Sequence, residues 1–371
     1  MVAPILAALG AATVSFLLGC LLIRHARHLG LHDLPNARSS HLIPKPRGGG
    51  AAIVAAFLLM LPLALPVAYA GWNVALVLAA AVMLALVGLA DDLKGLGLAP
   101  RLGAQALAVT TLLAALGSAA AAGAESDLGL LATVSGLPSL AAWLSTHASP
   151  SLVMALDLAL IPLLLLGSLW WINLFNFMDG IDGIAASQAI FMILGGLLLK
   201  TTGSGFWSLA APPAAASLVL VGALLGFLLL NWAPSRLFMG DTGSLFLGFS
   251  IFAMAAHDVT YGDITLWSWL VLGSAFIVDA TVTLLRRWLR RESVTAAHRS
   301  HLYQRLSRRW NSHSAVVLVY CLLNVMWILP LAFLSHRAPQ WAPMILVAAW
   351  APAAILAWRA GAGLTEAEAG P

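Results

Sequence analysis

Charged residues are scarce in this sequence: Asp, Glu, Lys and Arg make up 9% of its 371 residues, whereas 61% are hydrophobic. A soluble domain covers its surface with far more charge, so this composition indicates a polytopic membrane protein. Cysteine is also rare. The only two, Cys20 and Cys321, both lie in apolar runs, which argues against a disulfide framework and against a zinc site.

Eleven hydrophobic segments are long enough to cross, or nearly cross, a hydrocarbon core of about 30 Å. They lie near residues 3–23, 48–70, 73–90, 101–121, 152–172, 183–199, 208–230, 242–256, 264–285, 314–335 and 340–358, and the eighth is the shortest. They predict an all-α polytopic membrane protein with one transmembrane domain over residues 1–358. Residues 359–371 are predicted to form a short, disordered cytoplasmic tail.

The distribution of basic residues predicts the orientation. If the N-terminus lies outside and Arg101, at a span boundary, is counted inside, the inside loops hold 17 of the 19 Lys and Arg residues, and only Lys200 and Arg337 fall outside. Positive charge retains loops in the cytoplasm, so the bias supports this orientation and explains the net charge of +4 without nucleic acid. The first span has basic residues after it and none before it, the reverse of a cleavable signal peptide.

Two neighbouring carboxylates, Asp91 and Asp92, end the third span on the predicted cytoplasmic side. Adjacent carboxylates raise each other's affinity for a proton, and a nearby cation reverses that effect. The pair could therefore anchor a metal or act as a base. The alternative is a solvated helix end, although negative charge there opposes the helix dipole.

A second motif repeats polar side chains every three residues: Asn173, Asn176, Asp179 and Asp182. On a helix, neighbours in such a series share a face. Carboxylate and amide oxygens suit a hard cation such as Mg²⁺, so the series predicts a metal site. A polar turn between two spans is the alternative.

The third motif runs from Asn231 to Ser244 and opens the eighth span. Asp241 could cap that helix, or it could join the other acids in a shared site. The glycines at 240 and 243 would allow a phosphate to approach backbone amides at the helix start.

Two basic loops complete the predicted inner surface. The loop at 286–313 contains Arg299 and His301, and the first inside loop contains Lys45 and Arg47 followed by glycines at 48–50. Basic side chains can bind diphosphate, and the glycines favour a flexible turn or a phosphate contact. The alternatives are that these charges fix topology, that the histidine is an ordinary surface residue, and that the first loop attracts anionic lipid.

Taken in order, these motifs resemble the polyprenyl-phosphate N-acetylhexosamine-1-phosphate transferases, the WecA/MraY superfamily (glycosyltransferase family 4). The similarity runs from about Asp33 to Arg305: an aspartate pair, an NxxNxxDGxDG segment at 173–183 and an FMGDxGS segment at 238–244. Residues 35–41 and 46–50 look closest to WbpL-like O-antigen initiators. The family's last loop often carries a histidine cluster, of which only His301 matches cleanly.

The resemblance implies Mg²⁺-dependent transfer, with Mn²⁺ as an alternative, of an N-acetylhexosamine-1-phosphate from a UDP-sugar to undecaprenyl phosphate. UMP is released, at the inner membrane of a bacterium, as the first step of O-antigen or related envelope glycan synthesis. The roles it implies are catalytic for Asp91 and Asp92, metal-binding for Asp241, Asn176 and Asp179, and substrate-binding for Asn173, Asp182, Asn231, Arg299, His301, Lys45 and Arg47.

A proton- or cation-coupled transporter is the main alternative, because Asp157 and Asp279 lie within predicted spans. The sequence shows neither the internal repeat nor the cluster of midplane charges typical of transporters. It leaves open the sugar (GlcNAc, QuiNAc, FucNAc or another), the downstream glycan, a homodimer, and the roles of these two aspartates.

Overall fold

The computed structural model describes residues 2–33, 44–65, 71–123, 143, 146–204, 211–293 and 298–364. These ranges are mostly helical, with α1 (Val2–Leu29), α2 (Gly50–Ala64), α3 (Trp72–Lys94), α4 (Leu98–Gly123), α5 (Pro150–Met178), α6 (Ile184–Ser204), α7 (Pro212–Asn231), α8 (Gly240–Thr260), α9 (Leu266–Leu272), α10 (Ser274–Leu289), α11 (Leu302–Trp310), α12 (His313–Leu323), α13 (Leu329–Arg337) and α14 (Ala342–Arg359). A π-helical turn, Asn324–Ile328, joins α12 to α13, and a 3-10 turn, Pro339–Trp341, precedes α14. Strands β1 (His32–Asp33) and β2 (Lys45–Pro46) pair antiparallel, with His32 opposite Pro46.

The predicted all-α polytopic class is confirmed. Within the described ranges, nine helices are long and apolar enough to span a membrane, with α12 and α13 counted as one, and a tenth results if the bent pair α9 and α10 is one span. The predicted second span contains only the 15-residue α2, and residues 66–70 lie outside the described ranges. The predicted eighth span, the shortest in the sequence, is the 21-residue helix α8.

Close helix packing depends on small residues. A Cβ atom added to Gly222 or Gly226 of α7 would lie 2.0 Å from the carbonyl oxygen of Ala8 or Ala12 in α1. Without a hydrophobic force between helices in lipid, such close backbone approach is a main source of association. The first helix is therefore an integral part of the bundle.

Helix α8 lies at the centre of the bundle, against α2, α3 and α5. Its first turn has glycine neighbours: a Cβ on Gly50 would lie 2.1 Å from the nitrogen of Gly243, and one on Gly88 2.3 Å from the carbonyl oxygen of Asp241. The α8 N-terminus can therefore sit directly beside the end of α3. This packing determines where the acidic motifs meet.

The glycines at 48–50 have a role that differs from both sequence expectations. The amides of Gly49 and Gly50 donate hydrogen bonds to the carbonyl oxygens of Phe238 and Met239, each at 2.8 Å. The amides of Gly49 and Gly50 are therefore bonded to the segment before α8, whereas the sequence suggested a flexible turn or a phosphate contact.

The beginning of the predicted disordered tail is ordered. Gly363 donates its amide to the carbonyl oxygen of Ser300 at 2.9 Å, and Arg305 and Arg286 donate to the carbonyl oxygens of Ala360 and Ala362 at 3.1 and 3.2 Å. Residues 360–364 therefore pack against the last basic loop, contrary to the prediction. Residues 365–371, the motif at 35–41 and most of the loop at 122–151 lie outside the described ranges.

Candidate active site

The two adjacent aspartates at the end of α3 have different surroundings. Asp92 is only 4% exposed. Its carboxylate accepts hydrogen bonds from the backbone amides of Asp241 and Thr242, each at 3.1 Å, and from the Thr242 hydroxyl at 2.7 Å. Asp92 therefore caps α8, the role that the sequence offered as an alternative for Asp241. Gly240 has φ +72°, and a Cβ there would lie 2.6 Å from the Asp92 carboxylate, which explains the glycine.

Asp91 turns instead towards a cluster that we call the acidic centre: Asp91, Arg101, Asn176 and Asp241. Arg101 Nη1 lies 2.9 Å from Asp91 and 3.4 Å from Asp241, and Arg101 Nη2 donates to Asn176 Oδ1 at 3.2 Å. Asn176 Nδ2 donates to Asp241 Oδ1 at 2.6 Å. The acidic centre thus joins α3, α4, α5 and α8, and it brings together Asp91, Asn176 and Asp241 from three separate motifs.

Arg101 is the residue that sequence reasoning missed. In the sequence it contributes only to the predicted orientation, as a basic residue at a span boundary. A basic residue ten positions after Asp91, next to a helix start in an otherwise charge-poor chain, was the available signal. Its guanidinium pairs with both carboxylates and offsets their mutual repulsion.

The net charge of the side chains at this site favours binding of a cation. Fully ionised, Asp91, Asp92 and Asp241 would carry three negative charges against the two positive charges of Arg47 and Arg101, an excess of one negative charge. Arg47 also donates through Nη2 to the carbonyl oxygen of Asp92. Asp91 and Asp241 lie within hydrogen-bonding reach of each other. Two convergent carboxylates with excess negative charge fit a hard divalent cation such as Mg²⁺.

Asp179 follows α5 and stands apart from the acidic centre. Burial raises the pKa of its carboxyl to about 7, and the charges of Asp92 and Asp182 add to the effect. Within the described ranges, no side chain donates a hydrogen bond to this carboxylate, and no contact joins it to Asp241. Its metal-binding role stays a prediction.

Asp182 and Lys45 belong to a network that holds loops together. The Asp182 carboxylate accepts from the Ser235 amide at 3.0 Å and the Ser235 hydroxyl at 2.7 Å, and His313 Nδ1 lies 3.3 Å away. Lys45 Nζ lies 3.7 Å from Asp182 and donates to Ser235 Oγ at 3.1 Å. Both residues were predicted to bind substrate, but in the structure their polar groups contact protein.

The pKa of Asp182 reflects this network. Burial disfavours the charged form, but the hydrogen bonds from His313 and Ser235 outweigh it and lower the pKa to about 2. A lowered pKa stabilises the folded state above the ordinary aspartate pKa, and that stabilisation is lost only as the pH falls towards 2. A measurement at neutral pH therefore records it in full.

Replacing Asp182 with asparagine is expected to lower the free energy of unfolding by about 1–3 kcal/mol, because a charged acceptor of several hydrogen bonds is lost. The KM values for the two substrates that the resemblance implies, a UDP-sugar and undecaprenyl phosphate, should stay close to those of the wild type. Thermal unfolding at pH 7.5, followed by tryptophan fluorescence, measures the first effect. Asp263→Asn is the control, because Asp263 is half exposed and should change stability by less than about 0.5 kcal/mol. An unchanged stability with a raised KM would contradict this role.

Asn173 and Asn231 are also satisfied within the protein. Asn173 exchanges side-chain hydrogen bonds with Gln105 at 2.7 and 3.3 Å. Asn231, at the end of α7, accepts from the amide of Gly183 and donates to the carbonyl oxygen of Leu237, both at 2.9 Å. Buried loop backbone needs such partners, so Asn231 positions loops, whereas Asn173 links α5 to α4. Both side-chain amides are bonded within the protein.

The last basic loop stacks its aromatic side chains. His301 is buried and precedes α11, with ring centroids 4.9 Å from His298 and 5.7 Å from Tyr303. Burial lowers the pKa of His298 to about 3, with further contributions from His301 and Arg287. His298 is therefore neutral near pH 7 and adds no positive charge for a diphosphate. Arg299 is half-buried, and its carbonyl oxygen accepts from Arg308 at 2.9 Å.

A second group of acids lies at the other end of α8, roughly 25–30 Å from Asp241 at 1.5 Å per residue. His257, Asp258 and Asp263 are close enough to hold a metal. Lys200 instead forms an ion pair with Asp258 and lies 3.6 Å from Asp263. Lys200 offsets one of the two carboxylate charges and pairs with the buried Asp258. The acidic centre, whose carboxylate and amide groups come from three separate sequence motifs, is the better metal candidate.

The family model for glycosyl transferase family 4 matches residues 74–257, which contain Asp91, Asn176 and Asp241. A probable undecaprenyl-phosphate N-acetylglucosaminyl 1-phosphate transferase of Bacillus subtilis (strain 168) is 32% identical over 179 residues, which cover 47% of this chain and 48% of that protein. The decaprenyl-phosphate N-acetylglucosaminephosphotransferase of Mycobacterium tuberculosis H37Rv is 31% identical over 320 residues, covering 79% and 73%.

A phospho-N-acetylmuramoyl-pentapeptide-transferase of Synechococcus sp. (strain RCC307) is 37% identical over 118 residues, covering 32% of this chain and 30% of that protein. These matches agree with the resemblance indicated by the order of the motifs. They also remove the basis for the transporter alternative. The chain belongs to glycosyl transferase family 4 and is a multi-pass sugar-phosphate transferase of a bacterial inner membrane.

Proposed function

We propose that this protein transfers an N-acetylhexosamine-1-phosphate from a UDP-sugar to undecaprenyl phosphate and releases UMP. The observation that carries the proposal is the acidic centre: Asp91 and Asp241 are 150 residues apart in the chain yet share Arg101. Relatives named for polyprenyl-phosphate acceptors and for N-acetylglucosamine support the acceptor and the sugar class. The product would initiate an O-antigen or a related envelope glycan.

The reaction joins two phosphorylated molecules that repel each other, so the site must offset negative charge. Arg101 and Arg47 lie beside the acidic centre and its α8 cap, and each can pair with a phosphate oxygen. A phosphate monoester loses its second proton near pH 6, so the acceptor is largely a dianion at neutral pH. Asp91 then has to orient this phosphate, or take its last proton, rather than generate a strong nucleophile.

An oxygen of the acceptor phosphate attacks the phosphorus that carries the sugar. A new P–O bond forms there, and the bond from that phosphorus to the bridging oxygen breaks, so UMP leaves with the electron pair. We favour this single displacement because nothing in the arrangement calls for a carboxylate–phosphate intermediate. In-line transfer of this kind depends on positioning and on charge stabilisation.

Asp241 and Asp91 would hold a Mg²⁺ ion, and Asn176 would orient Asp241 through its 2.6 Å hydrogen bond. Mn²⁺ suits the same oxygen ligands. When bound, the ion would neutralise diphosphate charge and stabilise the departing UMP. Asp179, with its unbonded carboxylate, remains a candidate for a supporting role.

The deciding experiment incubates the purified protein with undecaprenyl phosphate and a panel of UDP-sugars, including UDP-GlcNAc, UDP-QuiNAc and UDP-FucNAc. We expect UMP release with at least one sugar, and a lipid product whose mass equals that of undecaprenyl phosphate plus the sugar phosphate. EDTA should stop the reaction and excess Mg²⁺ should restore it. If no UDP-sugar of the panel yields UMP, the proposed donor is overturned. If transfer continues in EDTA, the metal assignment is overturned.

A further inference from the structure

Asp279 lies inside α10 and is only 2% exposed, yet it caps a different helix. One carboxylate oxygen accepts from the amide of Leu302 at 2.8 Å, and the other accepts from the amide of Tyr303 at 3.0 Å. These are the first two amides of α11, which have no partner within that helix. A buried carboxylate thus fixes the start of the helix that follows His301.

Further donors surround the same carboxylate. The Tyr320 hydroxyl of α12 donates to it at 2.9 Å, Thr283 Oγ1 donates at 3.3 Å, and His301 Nδ1 lies 3.5 Å away. A buried charge is costly unless such bonds satisfy it, and here they come from α10, α11, α12 and the His301 segment. Asp279 therefore holds α11 in one orientation against the bundle.

The second step runs from α11 to the loop after α5. Tyr303 is completely buried, and its hydroxyl donates to the carbonyl oxygen of Phe177 at 2.9 Å. A Cβ on Gly180 would lie 2.1 Å from the same hydroxyl oxygen. Phe177 directly follows Asn176 of the acidic centre, and Asp179 lies between Phe177 and Gly180. The side chain of Tyr303 therefore contacts the segment that carries these groups.

We propose that Asp279 is a positioning residue, which acts through Tyr303 to fix the loop at 177–183 and the orientation of Asn176 towards Asp241. Its effect on catalysis rests on the proposed function, whereas its effect on the loop does not. Asp279 contacts none of the residues of the acidic centre, and the hydrogen bonds that its carboxylate accepts from Leu302 and Tyr303 connect it to α11. A helix capped only by water would leave the Tyr303 hydroxyl free to move away from Phe177.

Hydrogen exchange tests this coupling in full-length protein in nanodiscs. Asp279→Asn should speed amide exchange in peptides that cover 298–310 and also in those that cover 177–184. Tyr303→Phe keeps the ring and the amide bonded to Asp279, so it should speed exchange only at 177–184. Asp258→Asn is the matched control, because Asp258 is equally buried but lies at the other end of the bundle; it should change neither region.

The kinetic arm measures kcat and KM at matched amounts of folded protein. Asp279→Asn and Tyr303→Phe should each lower kcat by about 10–100-fold, the effect typical of groups that orient a metal-binding residue. Faster exchange at 298–310 with unchanged exchange at 177–184 in Asp279→Asn would overturn the proposal. If Asp279→Asn does not fold, Tyr303→Phe decides: wild-type exchange at 177–184 and wild-type kcat would overturn it. If the wild type releases no UMP from any UDP-sugar, the proposed function fails. The hydrogen-exchange data still decide whether Asp279 is coupled to the loop at 177–183.

Discussion

Replacing Asp241 with asparagine is expected to lower the transfer rate by about 10²–10³-fold, the usual effect of removing one group that stabilises charge in a transition state. Asp241 contributes the α8 carboxylate of the acidic centre, where it contacts Arg101 and Asn176. Asparagine keeps the size but removes the charge, so the affinity for Mg²⁺ should also fall. UMP release by purified protein, measured over a Mg²⁺ titration, tests both effects.

Asp258→Asn supplies the control on the same helix. Asp258 lies on the same helix as Asp241 but is buried and paired with Lys200 at the opposite end of α8. Its replacement should reduce stability while leaving the rate per folded molecule near that of the wild type. Near-normal turnover of Asp241→Asn at low Mg²⁺ would show that Asp241 does not hold the metal.

The second large effect separates two adjacent residues. Asp91→Asn is expected to lower kcat by about 10²–10³-fold, with little change in the thermal unfolding midpoint, because Asp91 faces Arg101 and Asp241. Asp92→Asn is expected to lower the free energy of unfolding by about 1–3 kcal/mol. Its carboxylate accepts the first amides of α8 and the Thr242 hydroxyl.

Fluorescence-monitored unfolding and UMP release on the same preparations distinguish these outcomes. Thr242→Val serves as a control for Asp92, because it removes one donor to that carboxylate and should reproduce part of its stability loss. The assignment would be wrong if Asp91→Asn were the strongly destabilised variant while Asp92→Asn kept its stability and lost all activity. Each residue would then have the role that the structure gives to its neighbour.

Much of the architecture was predictable from hydropathy and charge. The membrane class and most spans follow from the apolar segments, since a helix must bury its backbone polar groups in lipid. The spaced Asn and Asp residues and the segment around Asp241 were enough to predict the family, which the comparisons confirm. Gathering Asp91, Asn176 and Asp241 in one place was also a correct expectation.

The separate roles of the individual polar residues were not predictable from hydropathy and charge. Asp91 and Asp92 are equivalent in sequence, yet the rotation of α3 points one towards Arg101 and the other towards the α8 amides. Asn231 looked like a substrate contact, but Gly183 and Leu237 use its amide. Such partners come from loop ends whose backbone groups need hydrogen bonds, and nothing in the local sequence identifies those groups.

The chain alone was sufficient to predict a helical membrane protein whose motif acids Asp91, Asp179, Asp182 and Asp241 lie at one end of the spans. Hydrophobic length and charge bias are local properties of the sequence, and they determine insertion into the bilayer directly. Three features depend on how the helices pack. They are the identity of the acid that faces the reaction, the role of Arg101, and the link from Asp279 through Tyr303 to the loop at 177–183. Packing rotates each helix to suit neighbours that lie far away in the sequence, so these assignments follow from contacts between distant segments.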